Sequence, residues 1–189
     1  MSKTEYAPLP HTRVIGFGHR ARTGKDIAAR TIAEKADDAR IYAFSDAIAA
    51  YCRVSRGMTV RDPVLLQDVG YELRETRPDL WVEALYWRLE EDRPRTALVT
   101  GVRFPNEVQM IRSIGGEVWR IDRLTASGEP FRATDRPEDH PTETALSEAL
   151  FDHVLVNRTG QMDQFREKVW ATYCQKSAYQ AFIDSSYGL

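Results

Sequence analysis

The stretch GFGHRARTGKD, residues 16–26, ends in the Gly-Lys pair that many proteins use to bind phosphate. The usual loop asks for glycine, any four residues, then Gly-Lys followed by Ser or Thr. Gly24 and Lys25 fit. His19 stands where the first glycine belongs, with Gly18 one place early, and Asp26 replaces the hydroxyl residue. The chemistry on offer is anion binding. Backbone N–H groups and a helix N-terminus converge on one point, and Lys25 adds a full charge suited to β- and γ-phosphates. The candidate binding residues are Gly18, His19, Arg20, Ala21, Arg22, Thr23, Gly24, Lys25, Asp26 and Ile27. The plainer alternative is a turn whose lysine meets only solvent.

Such a loop needs a strand before it and a helix after it. Arg13 to Phe17 reads as a short strand, and Lys25 to about Asp37 is rich in Ala and Ile, as a helix should be. Ile41 to Phe44 reads as a second strand, with Ser45 or Asp46 placed to cap the next helix. Pro63 opens a helix with Leu65, Leu66, Val69 and Leu73 on one face, and Pro78 to Asp92 holds another around Val82, Leu85 and Leu89. Thr96 to Val99 is a strand. Pro105 opens a helix that Gly115 and Gly116 end. Glu117 to Ile121 is a strand, Thr142 to Leu150 a helix, His153 to Val156 a strand, and Met162 to Tyr173 an amphipathic helix. Strands alternating with helices predict an α/β sandwich around a mostly parallel, five-stranded sheet. Residues 1–12 read as a loose leader, 13–173 as the domain and 174–189 as a tail. In the tail, Tyr179 and Phe182 suit either a docked short helix or a frayed end.

Bulk properties narrow the function. The 189 residues suit one domain. A net charge of −2 supplies no basic field for a nucleic-acid polymer. Cys52 and Cys174 lie far apart without metal spacing, which fits reduced thiols in a cytosol. His11, His19, His140 and His153 show no ligand spacing either. No apolar run approaches a membrane span, and residues 1–12 lack the apolar core of a signal peptide. The expected setting is cytoplasmic.

Four ordered stretches carry a resemblance. They are Gly24-Lys25-Asp26; Phe44-Ser45-Asp46; LLQDVGYELRETRPDLWVEAL from Leu65 to Leu85; and Val102-Arg103-Phe104-Pro105-Asn106-Glu107 with the later HPTETAL from His140 to Leu146. Together they span most of residues 13–173, and the chain resembles the phage-type deoxynucleoside monophosphate kinases, a P-loop family. The resemblance implies a P-loop kinase sandwich and ATP-dependent phosphorylation of deoxynucleoside monophosphates to diphosphates, supplying DNA precursors in a host cytoplasm. It implies small-molecule nucleotide partners and ATP with Mg²⁺, and leaves homodimerisation open. Lys25 would hold the ATP phosphates and Asp26 would stand at Mg²⁺. Arg103, with Lys25, would be catalytic. Asp46, Gly70, Arg74, Trp81, Arg103 and Glu107 would line the acceptor site.

Five of the acceptor-site residues carry a second reading. Arg74 and Arg103 could be surface salt bridges, Trp81 a core aromatic, Glu107 a first-turn carboxylate and Asp46 a helix cap. Arg103 follows a strand's C-terminal end, where α/β ligands bind, and that favours function. The polar span 124–140, with Arg123, Arg132 and Arg136, is placed like a lid that would close over ATP. Three departures from the family pattern stand out. His19 replaces a loop glycine, unless Gly18 absorbs the turn. Gly101 stands where the family carries Asp, and Ile27 where it tends to carry Thr. Two other readings stay open: another small-molecule P-loop kinase, of the dephospho-coenzyme A or nucleoside kinase kind, and a catalytically silent nucleotide-binding protein.

Overall fold

In a computed structural model, β1 (Arg13–Gly18) leads through the loop into α1 (Lys25–Ala33), then β2 (Ala39–Ala43) and three helices, α2 (Phe44–Ser55), α3 (Pro63–Thr76) and α4 (Leu80–Asp92). β3 (Thr96–Val102), α5 (Pro105–Ser113), β4 (Glu117–Leu124), β5 (His153–Arg158) and α6 (Met162–Tyr187) complete the chain. The structure describes residues 6–132, 145–146 and 150–187, with side chains of the last helix described to residue 175. The expected helix over 142–150 and the span 133–140 lie largely outside these residues, as do His140 and Glu143.

The five strands form one sheet in the order β2-β3-β1-β4-β5, and every pairing is parallel. Side chains alternate across it, as a pleat requires. Ile15 and Phe17 of β1 join Leu98, Trp119 and Ile121 on one face, covered by Ala28 and Ile32 of α1 and Phe165 and Val169 of α6. Val14, Ala97, Val99 and Val118 face the other way, onto Leu85 and Leu89 of α4 and Val108 and Ile111 of α5. Gly16 permits the close approach of α5. A Cβ there would lie 2.7 Å from the Ile111 methyl. A third cluster joins α2, α3 and α4 through Ile48, Cys52, Leu66, Val69 and Trp81.

Several elements depart from their expected ends for local reasons. α1 stops at Ala33, and the chain turns at Asp38, whose φ is 46°. Asp38 accepts from the Arg95 N–H at 3.1 Å and so ties that turn to the start of β3. β2 begins earlier, at Ala39, and Phe44 belongs to α2 rather than to the strand. The reason is Asp46. It sits at the third helical position, and its carboxylate accepts the Ala43 N–H at 3.1 Å, half of a capping box that starts the helix one residue sooner. The residue at the cap itself is Ala43, not Ser45 or Asp46. β3 runs on through Val102, with Gly101 as an extra residue in its pairing to β1: Phe17 faces Thr100 and Gly18 faces Val102. α6 continues without a break through Tyr187.

The chain leaves β1 for β2 on the far side of β3, and leaves β3 for β4 on the far side of β1. The direction of winding therefore reverses between β1 and β3. A crevice opens there at the strands' C-terminal ends, the position where open α/β sheets take their ligands.

Candidate active site

The loop from β1 to α1 turns on three left-handed residues: His19 at φ 78°, Arg22 at 56° and Gly24 at 111°. Gly18 does not absorb the turn. It remains in β1, where a Cβ would lie 2.9 Å from the Phe151 ring. Gly24 is needed twice over: for its φ, and because a Cβ would stand 2.7 Å from the Asn157 amide. Asn157, buried on β5, donates to the Thr23 carbonyl at 2.9 Å and pins the loop from the far strand.

Lys25 is only 7% exposed. Its Nζ donates to the His19 carbonyl at 3.4 Å and to the Arg20 carbonyl, and it lies 3.5 Å from the Thr23 hydroxyl. The reading of a turn whose lysine meets only solvent therefore fails. A cavity of about 350 Å³ opens beside it, lined by Arg22, Thr23, Gly24, Lys25, Asp26, Ser45, Arg61, Thr100, Gly101 and Arg103 among others. Asp26 is the carboxylate in that lining.

A second cavity, of about 260 Å³, lies beyond it between α2, α3 and the start of α5. Ser45, Gly101 and Arg103 line both cavities, so the two spaces meet at those residues. Arg103 donates through one guanidinium nitrogen to the His19 carbonyl at 2.6 Å. The same oxygen thus receives Lys25 and Arg103. Gly101 has φ 76° with no atom within 4 Å of where a Cβ would stand. A bulge at this point re-aims the following residues, which is how Arg103 comes to face the loop.

Glu107 organises the second cavity. It is 1% exposed, and one carboxylate oxygen accepts the N–H groups of Arg103 at 2.6 Å and Phe104 at 3.1 Å. The other accepts Arg74 at 2.7 Å. Burial pushes its carboxyl above the ordinary range, and the Arg74 charge and these hydrogen bonds offset only part of that. Arg74 in turn lies 4.2 Å over the Phe104 ring, and Tyr71 meets the same ring edge-on. Glu107 is thus both the first-turn carboxylate of α5 and the anchor of Arg74. Neither arginine is a plain surface ion pair.

The remaining expected residues divide. Gly70 lines the second cavity, and a Cβ there would come within 3.1 Å of Ile48. Trp81 does not line it. It is 3% exposed in the α2–α4 cluster, and its indole N–H donates to the Gly70 carbonyl at 3.2 Å. Trp81 therefore supports the cavity wall from behind. Asp46 accepts the Ala43 N–H with one carboxylate oxygen, its other oxygen lies 3.7 Å from Arg61, and it faces a different hollow, between β2, α2 and α4. Ile27 packs toward the α1 side of the sheet. Arg123, near the end of β4, donates to the Arg22 carbonyl at 3.3 Å and stacks on Phe131, so it links the described start of the following span to the loop.

Sequence reasoning missed Arg61, Asn157 and Asp122. Arg61 follows no motif, yet it donates to Ser45 at 2.7 Å and lines the loop cavity. Asp122 on β4 lies 3.4 Å from His19 Nδ1. Among the described residues there is no group of three His, Cys, Asp or Glu that could hold a metal by itself, and no helix is long and apolar enough to cross a membrane.

No protein-family model matches the chain. It is similar to the deoxynucleoside-5'-monophosphate kinase of Escherichia phage T5, with 28% identity over 109 residues, covering 56% of this chain and 43% of that protein. It is similar to the uncharacterized protein ORF76 of Ictalurid herpesvirus 1 (strain Auburn), with 28% identity over 171 residues, 83% of this chain and 66% of that protein. The matches thus span less than two thirds of these curated relatives. Among solved structures, the tunicamycin resistance protein of Deinococcus radiodurans aligns with a TM-score of 0.47 and 14% identity, covering 86% of this chain and 95% of that one.

Proposed function

We propose that the chain is a P-loop nucleotide kinase that transfers the γ-phosphoryl group of ATP to a deoxynucleoside monophosphate. The observation that carries the reading is the meeting of two cavities at Arg103. One holds the phosphate loop with its buried lysine, and the other is walled by α2 and α3 and floored by an anchored arginine. Distant similarity to a phage deoxynucleoside monophosphate kinase supports the same reading.

The roles follow from position. The loop N–H groups and Lys25 hold the β- and γ-phosphates at the N-terminus of α1. Arg74, oriented by Glu107, takes the acceptor's phosphate in the second cavity. Arg103 stands between the two and bears on the charge spread over the transferring group. Phosphoryl transfer asks for positioning and charge neutralisation more than covalent help. An acceptor phosphate oxygen attacks the γ-phosphorus, the bond to the β–γ bridging oxygen breaks, and ADP departs.

The loop cavity suits Mg²⁺. It presents one carboxylate, Asp26, and this ion prefers one or two carboxylates completed by phosphate and water. Bound there, it would neutralise phosphate charge.

The test is ADP release across the four common deoxynucleoside monophosphates and their methylated or hydroxymethylated forms. Lys25→Ala should abolish turnover in a folded protein, and Arg103→Ala should lower kcat far more than it raises either KM. Turnover that survives Lys25→Ala would end the phosphate-loop assignment. Lys25-dependent ATP binding without ADP release on any acceptor would instead mark a silent binder, the reading that Gly101 without its carboxylate favours.

A further inference from the structure

His19 is a bulky residue in a backbone conformation that glycine adopts freely, at the point where the loop leaves β1. Its φ of 78° is one that non-glycine residues adopt rarely, although His does so more often than most. Something must hold it there, and the structure shows two candidates. The ring stands edge-on to Phe151 with centroids 5.8 Å apart. Its Nδ1 is buried with no hydrogen-bond partner among the described residues, and the group facing it is the Asp122 carboxylate at 3.4 Å, within ion-pair range.

Asp122 is itself fixed. Arg120, two residues earlier on the same face of β4, donates to it at 2.7 Å. Burial works to raise its carboxyl, but His19 and Arg120 outweigh that and hold it below the usual carboxylate range. The charged groups around the imidazole are therefore Asp122 and Arg120 from β4, with Lys25 and Arg103 at the backbone side of the same residue.

The consequence lies on the other side of the peptide. With residue 19 left-handed, its carbonyl oxygen points at both cations, 3.4 Å from Lys25 Nζ and 2.6 Å from an Arg103 nitrogen. We infer that Asp122 is a positioning residue for the phosphate loop: by facing the imidazole it holds His19 in the conformation that aims one carbonyl at Lys25 and Arg103. This rests on the reading of the loop as the ATP-phosphate site. The ordinary loop has glycine here and needs no such support. In this chain a side chain on β4, 103 positions further along, does what a missing Cβ does elsewhere.

A double-mutant cycle separates this role from a merely structural one. Mg-ATP binding is measured by calorimetry, with kcat, both KM values and thermal melting, on wild type, Asp122→Ala, His19→Gly and the double variant. In the chain that keeps His19, Asp122→Ala should weaken Mg-ATP binding about tenfold and raise the ATP KM with a smaller change in kcat. In the His19→Gly chain the same substitution should cost nothing further, because glycine holds the turn unaided. An equal loss in both backgrounds would overturn the inference, as would a lowered melting temperature with an unchanged ATP KM. If Asp122→Ala does not fold, Asp122→Asn takes its place. It still offers an oxygen to Nδ1 and should show a smaller loss that again vanishes in the His19→Gly background. Lys25→Ala serves as the reference. ATP binding that survives it removes the phosphate loop and this inference together, whereas Lys25-dependent binding without coupling removes Asp122 alone.

Discussion

Substituting Glu107 by Gln should separate acceptor binding from everything else the site does. The amide keeps the shape of the side chain and one oxygen for the Arg103 and Phe104 N–H groups, so the capping contacts at 2.6 and 3.1 Å survive. What goes is the charge-assisted bond to Arg74 at 2.7 Å. A hydrogen bond to a charged group is worth about 1.5–3 kcal/mol. If that bond sets where the guanidinium waits, its loss should raise the acceptor KM by about 10- to 150-fold, at about 1.4 kcal/mol per tenfold. The ATP KM should stay close to wild type. Steady-state kinetics with each nucleotide varied in turn reads both. Equal rises in the two KM values, or none, would refute the assignment of Arg74 to the acceptor.

The pH dependence of stability tests the same residue independently. A carboxyl raised on folding contributes stability that is complete below its unfolded value and is lost as pH rises through its folded value. Glu107 is raised, with burial as the leading cause. Denaturant unfolding should therefore show wild type losing stability relative to Glu107→Gln as pH climbs from about 4. A relative gain over that window would mean that the Arg74 charge outweighs burial.

Three further outcomes are expected. Gly24→Ala, forced into φ 111° with its Cβ 2.7 Å from Asn157, should lower stability by about 1–3 kcal/mol in denaturant unfolding. Trp81→Phe should cost about 1 kcal/mol through the lost bond to Gly70 and leave the acceptor KM unchanged, whereas a large rise would mean the indole reaches substrate. Tyr42, pushed up to about 12 by burial and by its bond to Asp92, contributes stability that is complete below its ordinary value of 10.0 and lost as pH rises through 12. Tyr42→Phe should flatten that alkaline limb in a pH series of melting curves.

What the sequence reveals and what it hides divide along contact range. The loop, its strand and its helix are legible because they are consecutive, and the hydrophobic period and the Gly-Lys pair both lie within a few residues. The order of helices and strands is legible for the same reason, and with it the parallel sheet. Asn157 and Asp122 are not. Each acts on the loop across more than 100 residues, and nothing near either position marks it. Trp81 and Glu107 have two readings apiece because their residue types serve both. The choice depends on burial. The indole points into the helical cluster, and the carboxylate is both cap and anchor. Phe44 reads as strand from its neighbours, and those neighbours say less than one carboxylate reaching back to the Ala43 N–H.

The parallel pairing also has a consequence for how the chain is made. β1 lies at the centre of the sheet, yet its first partner, β3, begins at Thr96, 83 residues after Arg13. Its other neighbour, β4, comes later still. A ribosome adds about 5–20 residues per second, so the apolar run Val14 to Phe17 waits about 4–17 s with both edges open. β2 cannot shelter it, because β2 also pairs only with β3. The emergence of β3 is thus the step at which three strands find their places together. A pause in translation before Thr96 would lengthen the interval in which the nascent chain is most prone to aggregate, while a pause after Val102 would give the central strands time to close.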